Sequence, residues 1–293
     1  MTSILTNTSA MSALQTLRSI NSDLSTTQDR VSSGERVGKA SDNVAYWSIS
    51  TTMNSDNKAL NAATDALGVG AAKVDTAYAA MDSAIDVVNE IKAKLTTASE
   101  TSVNKDQVQL EIKKLQEQLT AIGQAASFNG ENWAVRGAAS STTVVDGFIR
   151  STDGTVKVTT ATFNAGSYAL FDAITTSGVG TNGILGAVMT ISLTSVTTQG
   201  KIDTFLDTVQ TALDTLTDGA AALGALSARI DMQDSYSAKL SDAIVAGVSR
   251  LVDADMEEES ARLSALQTQQ QLAVQSLSIA NSSSQNIMTL FRG

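Results

Sequence analysis

The chain has no cysteine, no histidine and no proline among its 293 residues. Without Cys or His there is no thiolate nucleophile, imidazole base, Ser-His-Asp triad or ordinary zinc site, which removes most enzyme mechanisms before any motif is read. At average usage about 15 prolines would be expected in this length. Their absence leaves helix interiors unbroken and spares refolding the slow X-Pro isomerisation. The lack of cysteine leaves the redox compartment open. Aromatic residues are scarce, 4% against 42% hydrophobic, so Ala, Leu, Val and Ile must carry the packing, a composition that suits helix-on-helix seams. Basic residues are outnumbered by acidic ones, and the net charge of −10 argues against nucleic acid or an anionic membrane as partner. No run approaches the roughly 20 apolar residues of a membrane helix. Met1 to Leu17 hold no basic residue and no continuous apolar stretch, so no cleaved secretory signal is expected.

What the chain does have is apolar spacing of three and four. Ala10, Leu14, Leu17, Asn21, Leu24, Gln28 and Val31 share one register near the start. Leu263, Leu266, Gln270, Ala273, Leu277, Ala280, Ser284, Ile287 and Phe291 share another at the end. Both are narrow coiled-coil seams. Chain ends usually fray, and a thin stripe interrupted by Asn, Gln and Ser cannot hold an isolated helix, so these ends need partners. Between them, Leu60, Thr64, Leu67, Ala71, Val74, Tyr78, Met81, Ile85, Val88 and Leu95 predict one helix from Asp42 to Ala98. It would be roughly 85 Å long, and Gly68 and Gly70 would each cost it about 1 kcal/mol. Asn104, with Gln107 three residues on, is the N-cap of a second helix carrying Val108, Ile112, Leu115, Leu119, Ile122 and Ala126. A third, from Lys201 to Val248, carries Ile202, Leu206, Val209, Leu213, Leu216, Ala220, Leu223 and Ile230.

Composition shifts between Ser127 and Gly200 to Thr, Ser and Gly, with little charge. Thr142–Ile149, Thr155–Phe163 and Val188–Val196 are β-prone, and Asp153-Gly154 is a hairpin signal. The stretch reads as a small β-containing excursion between helical halves. Because it carries no seam, replacing Ser151 to Asn182 with a short linker should be tolerated. The fold class is therefore mainly α: a long-helix coiled-coil bundle formed by both chain ends, with a small β-containing outer domain inserted in the middle.

Several motifs tempt and fail. Gly178-Val179-Gly180-Thr181-Asn182-Gly183 has dinucleotide spacing but is followed by β-branched residues, not a helix, and reads as a loop. Gly34-Glu35-Arg36-Val37-Gly38-Lys39-Ala40 is one residue short of a phosphate loop and lacks its final Ser or Thr. Asp253, Asp255, Glu257, Glu258 and Glu259 lack the glycine turn of a calcium loop and read as a solvated helix face. No catalytic, cofactor or metal residue is assigned.

With seams and insertion in place, the sequence closely resembles bacterial flagellin, over residues 1–135 and 199–293. Arg30-Val31-Ser32-Ser33-Gly34, Arg36-Val37, Ala40, Asp42 and Ala45 follow the family pattern, as does the turn Phe128-Asn129-Gly130. Near the end, Ser249-Arg250-Leu251-Val252-Asp253-Ala254-Asp255, Glu258-Glu259, Gln267, Gln270-Gln271, Leu277, Ala280-Asn281, Gln285-Asn286 and Leu290 match its signature. Ser284 stands where the family often has Pro, and Tyr46 where it often has Gly. Tyr46-Trp47 is similar to the alphaproteobacterial, rhizobial-like type. Some flagellins carry a metallopeptidase insert with two histidines, and a chain without histidine cannot.

The resemblance implies a subunit that polymerises into the helical filament of the flagellum, outside the cell, with no catalysis and no cofactor. It implies an inner-core coil from residues 1–41 and 249–293, an outer-core bundle from 42–135 and 200–248, and a surface domain at 136–199. The assembly seam would use Leu14, Leu17, Leu24, Val31, Leu263, Leu266, Leu277, Ile287 and Phe291. Implied partners are the chain itself, possibly mixed with sister flagellins, the flagellar type III export apparatus and its chaperone, and hook-associated and cap proteins. Flagellins detected by the animal Toll-like receptor present Leu-Gln-Arg where this chain has Val88, Asn89 and Glu90, a charge reversal at the Arg anchor. Ser41, Asn43 and Tyr46 alter the plant-receptor epitope, so weak immune recognition is implied. The nearest rival is a hook–filament junction protein, which shares the terminal seams. An enzyme using carboxylates and Lys alone, or a monomeric binding module, would be separated from it by activity and by failure to form filaments.

Overall fold

The computed structural model describes residues 7–137, 140–175 and 178–290, the last eight as backbone. The elements in chain order are α1 (Thr8–Ser33), α2 (Val44–Ala98), α3 (Lys105–Ala125), β1 (Ser127–Phe128), β2 (Glu131–Asn132), β3 (Thr142–Arg150) and β4 (Val156–Phe163). They are followed by β5 (Ala173–Ile174), β6 (Gly180–Thr181), α4 (Gly186–Met189), α5 (Gln199–Val252) and α6 (Met256–Leu290). The fold is mainly helical, with its strands in the middle of the chain. Two compact units are formed, 1–57 with 242–293, and 58–241.

Local chemistry sets the helix ends. Asn7 accepts the amide of Ala10, Asn43 that of Tyr46, and Asn104 those of Asp106 and Gln107, so three asparagines open α1, α2 and α3. Gly34, at φ 75°, closes α1 in the left-handed conformation, its N–H bonded to the Arg30 carbonyl.

In the unit 58–241, α2, α3 and α5 bury one stripe each. The stripe of α2 is Leu60, Ala63, Leu67, Gly70, Val74, Ala77, Met81, Ala84, Val88, Ile91 and Leu95. That of α5 is Ile202, Val209, Ala212, Leu216, Gly219, Leu223, Leu226 and Ile230. Four of the ten predicted seam positions on α2, and Leu213 and Ala220 on α5, are therefore displaced by one residue. Leu60, Leu67, Val74, Met81 and Val88 are buried as expected, but Ala63, Gly70, Ala77 and Ala84 replace Thr64, Ala71, Tyr78 and Ile85 at the closest approach. Small side chains let backbones come together, and the larger neighbours rest on the flank: Ala71 and Ile85 are half-buried and Tyr78 is exposed. Gly70 shows the limit, since a Cβ there would lie 2.1 Å from Cγ1 of Val144.

The middle of the chain departs further from expectation. β3 and β4 form the expected antiparallel hairpin, Thr142 opposite Phe163 and Arg150 opposite Val156, with a bulge between Val145 and Gly147. Its loop is closed by Asp153, whose carboxylate accepts the amide and hydroxyl of Thr155, and by Gly154 at φ 84°. The third β-prone run, Val188–Val196, is not a strand. After the single turn of α4 its backbone is held by side chains of α3: Gln116 Nε2 donates to the carbonyls of Val188 and Ile191 at 2.9 and 3.1 Å, and Gln109 accepts the Leu193 amide at 2.6 Å. Those polar groups need no strand partner, while Val188, Ile191 and Leu193 are buried. Nor is the segment a detachable excursion. Val144, Phe163, Leu170, Phe171 and Leu185 belong to the same apolar core as α2, α3 and α5, and the three of these within Ser151–Asn182 argue against the expected tolerance to replacing that segment.

The glycine-rich stretch at 178–183, expected to be a loop, instead carries the two-residue strand β6, paired with β5, and leads into the single turn of α4. Gly180 lies against the Phe171 ring, and Gly183 (φ 67°) lies against the Leu170 carbonyl, where a Cβ would sit at 2.7 Å. These glycines admit close packing, not a phosphate.

Candidate assembly site at the paired chain ends

In the unit 1–57 with 242–293, α1 packs along α6. The face of α1 turned inward is Ala10, Ala13, Leu17, Ile20, Leu24, Thr27 and Val31. Leu17, Leu24 and Val31 of the predicted seam lie on it. Leu14, 37% exposed, does not; nor do Asn21 and Gln28, which Ala13, Ile20 and Thr27 replace one residue earlier. On α6, Leu263, Leu266, Gln270, Ala273, Leu277 and Ala280 all face inward. Asn21 accepts a hydrogen bond from Gln270 at 2.7 Å on the rim, and Asn7 Nδ2 donates to the Ala280 carbonyl at 2.9 Å. Phe291 lies outside the described residues, as does the side chain of Ile287.

The signature residues near both ends meet below this pair. The Gly34 carbonyl accepts the Ala254 amide at 2.9 Å, the Arg36 amide donates to the Val252 carbonyl at 2.6 Å, and Glu35 bridges Asp253 in antiparallel fashion. Arg36 also donates from its guanidinium to the Leu251 carbonyl at 3.1 Å. Asp255 caps α6 through the amides of Glu257 and Glu258, and Ser249 donates to the Asp253 carboxylate. Ser33 accepts the Glu35 amide; Ser32 and Arg250 are exposed. Glu259, expected on a solvated helix face, is instead buried, because Arg30 and Arg262 pair with it, and it holds the charge centre. Its side chain is 7% exposed, and Oε1 accepts from Arg30 at 3.1 Å and Arg262 at 3.3 Å, while Oε2 is buried with no hydrogen-bond partner. Arg262 was not singled out in the sequence, although its position three residues after Glu259 and four after Glu258 was a readable helix pairing signal. The phosphate-loop likeness at 34–40 fails for a visible reason: the amides of Gly38 and Lys39, which an anion would need, are taken by Asp42.

Two open grooves flank the helix pair. One, about 800 Å³, is lined by Ser9, Ser12, Thr16, Leu272, Ala273 and Ser276. The other, about 770 Å³, is lined by Ala10, Met11, Leu14, Arg18, Leu277 and Asn281. Met11, Leu272, Val274 and Ile279 are exposed large apolar residues on the same pair.

In the unit 58–241, Phe128-Asn129-Gly130 lies at the turn joining β1 to β2, with Asn129 at φ 49° and Gly130 at φ 81°, the two positive values of a type I′ turn. Of the positions aligned with the animal-receptor segment, Val88 is fully enclosed in the core, so it cannot present a side chain; Asn89 and Glu90 are exposed. Ser41 and Tyr46, in the other unit, are exposed and Asn43 is half-buried.

Paired chain ends, stitched by backbone and charge and left with open grooves on both sides, define the class: a helical structural subunit with room for further helices. The comparisons with known proteins give the family. The bacterial flagellin N-terminal helical region matches residues 4–134 and the C-terminal helical region matches 206–291. Flagellin C of Rhizobium meliloti (strain 1021) is 49% identical over 320 aligned positions, and Flagellin A of the same strain 43% over 394, both alignments covering all of each chain. A flagellin of Brucella melitensis is 45% identical over 296 positions, again over the whole of both chains. The chain belongs to the bacterial flagellins. It is a structural subunit of the flagellar filament, and no helix among the described residues is long and apolar enough to cross a membrane.

Proposed function

We propose that residues 1–41 and 249–293 build the inner core of a filament made of many copies of this chain. Residues 42–135 and 200–248 build its outer core, and 136–199 the surface. The observation that carries this reading is the pair of grooves beside α1 and α6, which leave Met11, Leu14 and Leu272 in water in a single copy. Contacts of this kind that repeat without closing generate a helical polymer. The subunit reaches the growing end through the flagellar type III export route with a chaperone, and meets hook-associated and cap proteins there; sister flagellins can share the lattice. Weak immune recognition rests on Asn89, Glu90, Ser41, Asn43 and Tyr46, without Val88.

Leu277 is the test position, facing inward on α6 and lining the groove with Met11 and Leu14. Leu277→Asp places a carboxylate there at a cost of about 3 kcal/mol per subunit. Sedimentation and electron microscopy after salting out should show wild-type filaments and none from the variant, with most helical content kept. A Leu277→Asp chain that polymerises like wild type would sink the inner-core assignment.

A further inference from the structure

The chain holds two Asn-Gly pairs, Asn129-Gly130 and Asn182-Gly183, and both take the same left-handed backbone. φ is 49° and 81° in the first and 52° and 67° in the second, and all four residues are exposed. A glycine after asparagine leaves its amide nitrogen open to the asparagine's own carboxamide, because no side chain stands in the way. That nitrogen reaches Cγ when ψ of the asparagine swings to about −120°, which with a positive φ is the first central position of a type II′ turn.

Asn129 stands one motion from that geometry. Its φ is already positive, and turning the single peptide plane between Asn129 and Gly130 converts type I′ into type II′. Both turns close a two-residue hairpin, so β1 and β2 stay paired through the change. Gly130 takes either sign of φ, and a Cβ on it would meet nothing within 4 Å, so the plane turns in open solvent. Asn182 lacks that freedom. The Asp172 amide donates to the Thr181 carbonyl at 3.0 Å, and the Ile184 amide donates to the Ala169 carbonyl at 3.1 Å, so the backbone is held on both sides. Gly183 packs against the Leu170 carbonyl and Phe171 Cα, each 2.7 Å from where a Cβ would sit.

We propose that Asn129 is a site of spontaneous covalent modification, and that Asn182, the same dipeptide with the same signs of φ, is protected by the fold. The Gly130 nitrogen bonds to Cγ of Asn129 and the Cγ–Nδ2 bond breaks, the amide proton leaving with Nδ2 as ammonia. Water then opens the cyclic imide at one carbonyl or the other, giving aspartate or isoaspartate. Either product sets a carboxylate two residues from Glu131, and isoaspartate adds a backbone methylene that a two-residue turn does not accommodate. The chemistry needs one copy of the chain, water and no partner.

Wild-type chain is aged in warm, mildly alkaline buffer, folded and in urea. Its peptides are mapped by mass spectrometry, and isoaspartate is labelled by an isoaspartyl methyltransferase. In urea both pairs should convert at similar rates. In the folded chain Asn129 should convert as fast as in urea, and Asn182 about tenfold more slowly, the factor that an opening of about 1.4 kcal/mol imposes. Asn129→Gln, whose longer side chain would have to close a larger ring, should abolish the product there and leave Asn182 unchanged. An Asn129 that is protected by folding as strongly as Asn182, or an Asn182 that converts in the folded chain as fast as Asn129, overturns the proposal.

Discussion

Gly68 and Gly70 stand two residues apart in α2, and alanine should act oppositely at them. A Cβ at Gly68 would meet nothing within 4 Å, so Gly68→Ala should stabilise by about 1 kcal/mol through helix propensity. At Gly70 it would collide with Val144, and Gly70→Ala should destabilise by about 1–3 kcal/mol as the hairpin is pushed away. Thermal melting of the two variants should shift in opposite directions. The sequence shows both glycines as equal interruptions of a helix; only the hairpin above Gly70 separates them. A second residue-scale prediction concerns Glu131. Its carboxyl is held below the usual range first by the hydrogen bond from Lys73 at 2.5 Å and also by Arg136 at 3.2 Å. A lowered folded value contributes stability that is fully present above the ordinary carboxylate range and is lost as pH falls below that range and through the lowered folded value. Glu131→Gln should therefore have a lower urea midpoint than wild type at neutral pH, and the gap should close in acid. The Phe128-Asn129-Gly130 turn, by contrast, came from the family resemblance, and its chemistry is plain in the structure: Asn-Gly is the pair that adopts two positive φ values at least cost.

The helices of this chain were legible as elements but not in their exact facing. Apolar residues every three or four positions announce a helix whichever of two neighbouring stripes is buried. Choosing the bulkier stripe selected Leu14, Tyr78 and Ile85, whereas the contact uses Ala13, Ala77 and Ala84. Bulk marks what can be buried; closeness of approach decides what is. The run at Val188–Val196 failed for a different reason. Its β-propensity is real, but two glutamines on α3 supply the hydrogen bonds a neighbouring strand would have supplied. Gln116 should therefore matter more than a polar residue on an amphipathic helix suggests. Gln116→Leu takes the side-chain donor from the Ile191 carbonyl and leaves the Val188 carbonyl only its backbone donors, at about 1–3 kcal/mol. Urea unfolding followed by far-ultraviolet dichroism should show the loss, and Gln109→Leu should show a smaller one.

For the molecule as a whole, composition and seams disclosed a helical chain whose ends work together, and the signature residues carried the family. They did not disclose that the middle segment completes the core of the unit 58–241. Replacing Ser151–Asn182 by a linker removes Phe163, Leu170 and Phe171, and one such large residue contributes about 3–5 kcal/mol. That variant should lose its cooperative thermal transition and form no filaments, whereas replacing only the hairpin loop Ser151–Thr155 should spare both. The stitching of the chain ends has a consequence in time. Asn7 meets Ala280 and Arg30 meets Glu259, pairs separated by 273 and 229 residues, nearly the greatest contact order this length permits. Local helices can flicker into being at once, but the partners that hold α1 in place are among the last residues to arrive. In any process that makes the chain from its N-terminus, α1 therefore waits without its partner until α6 is complete, and that last stretch sets the clock for completion.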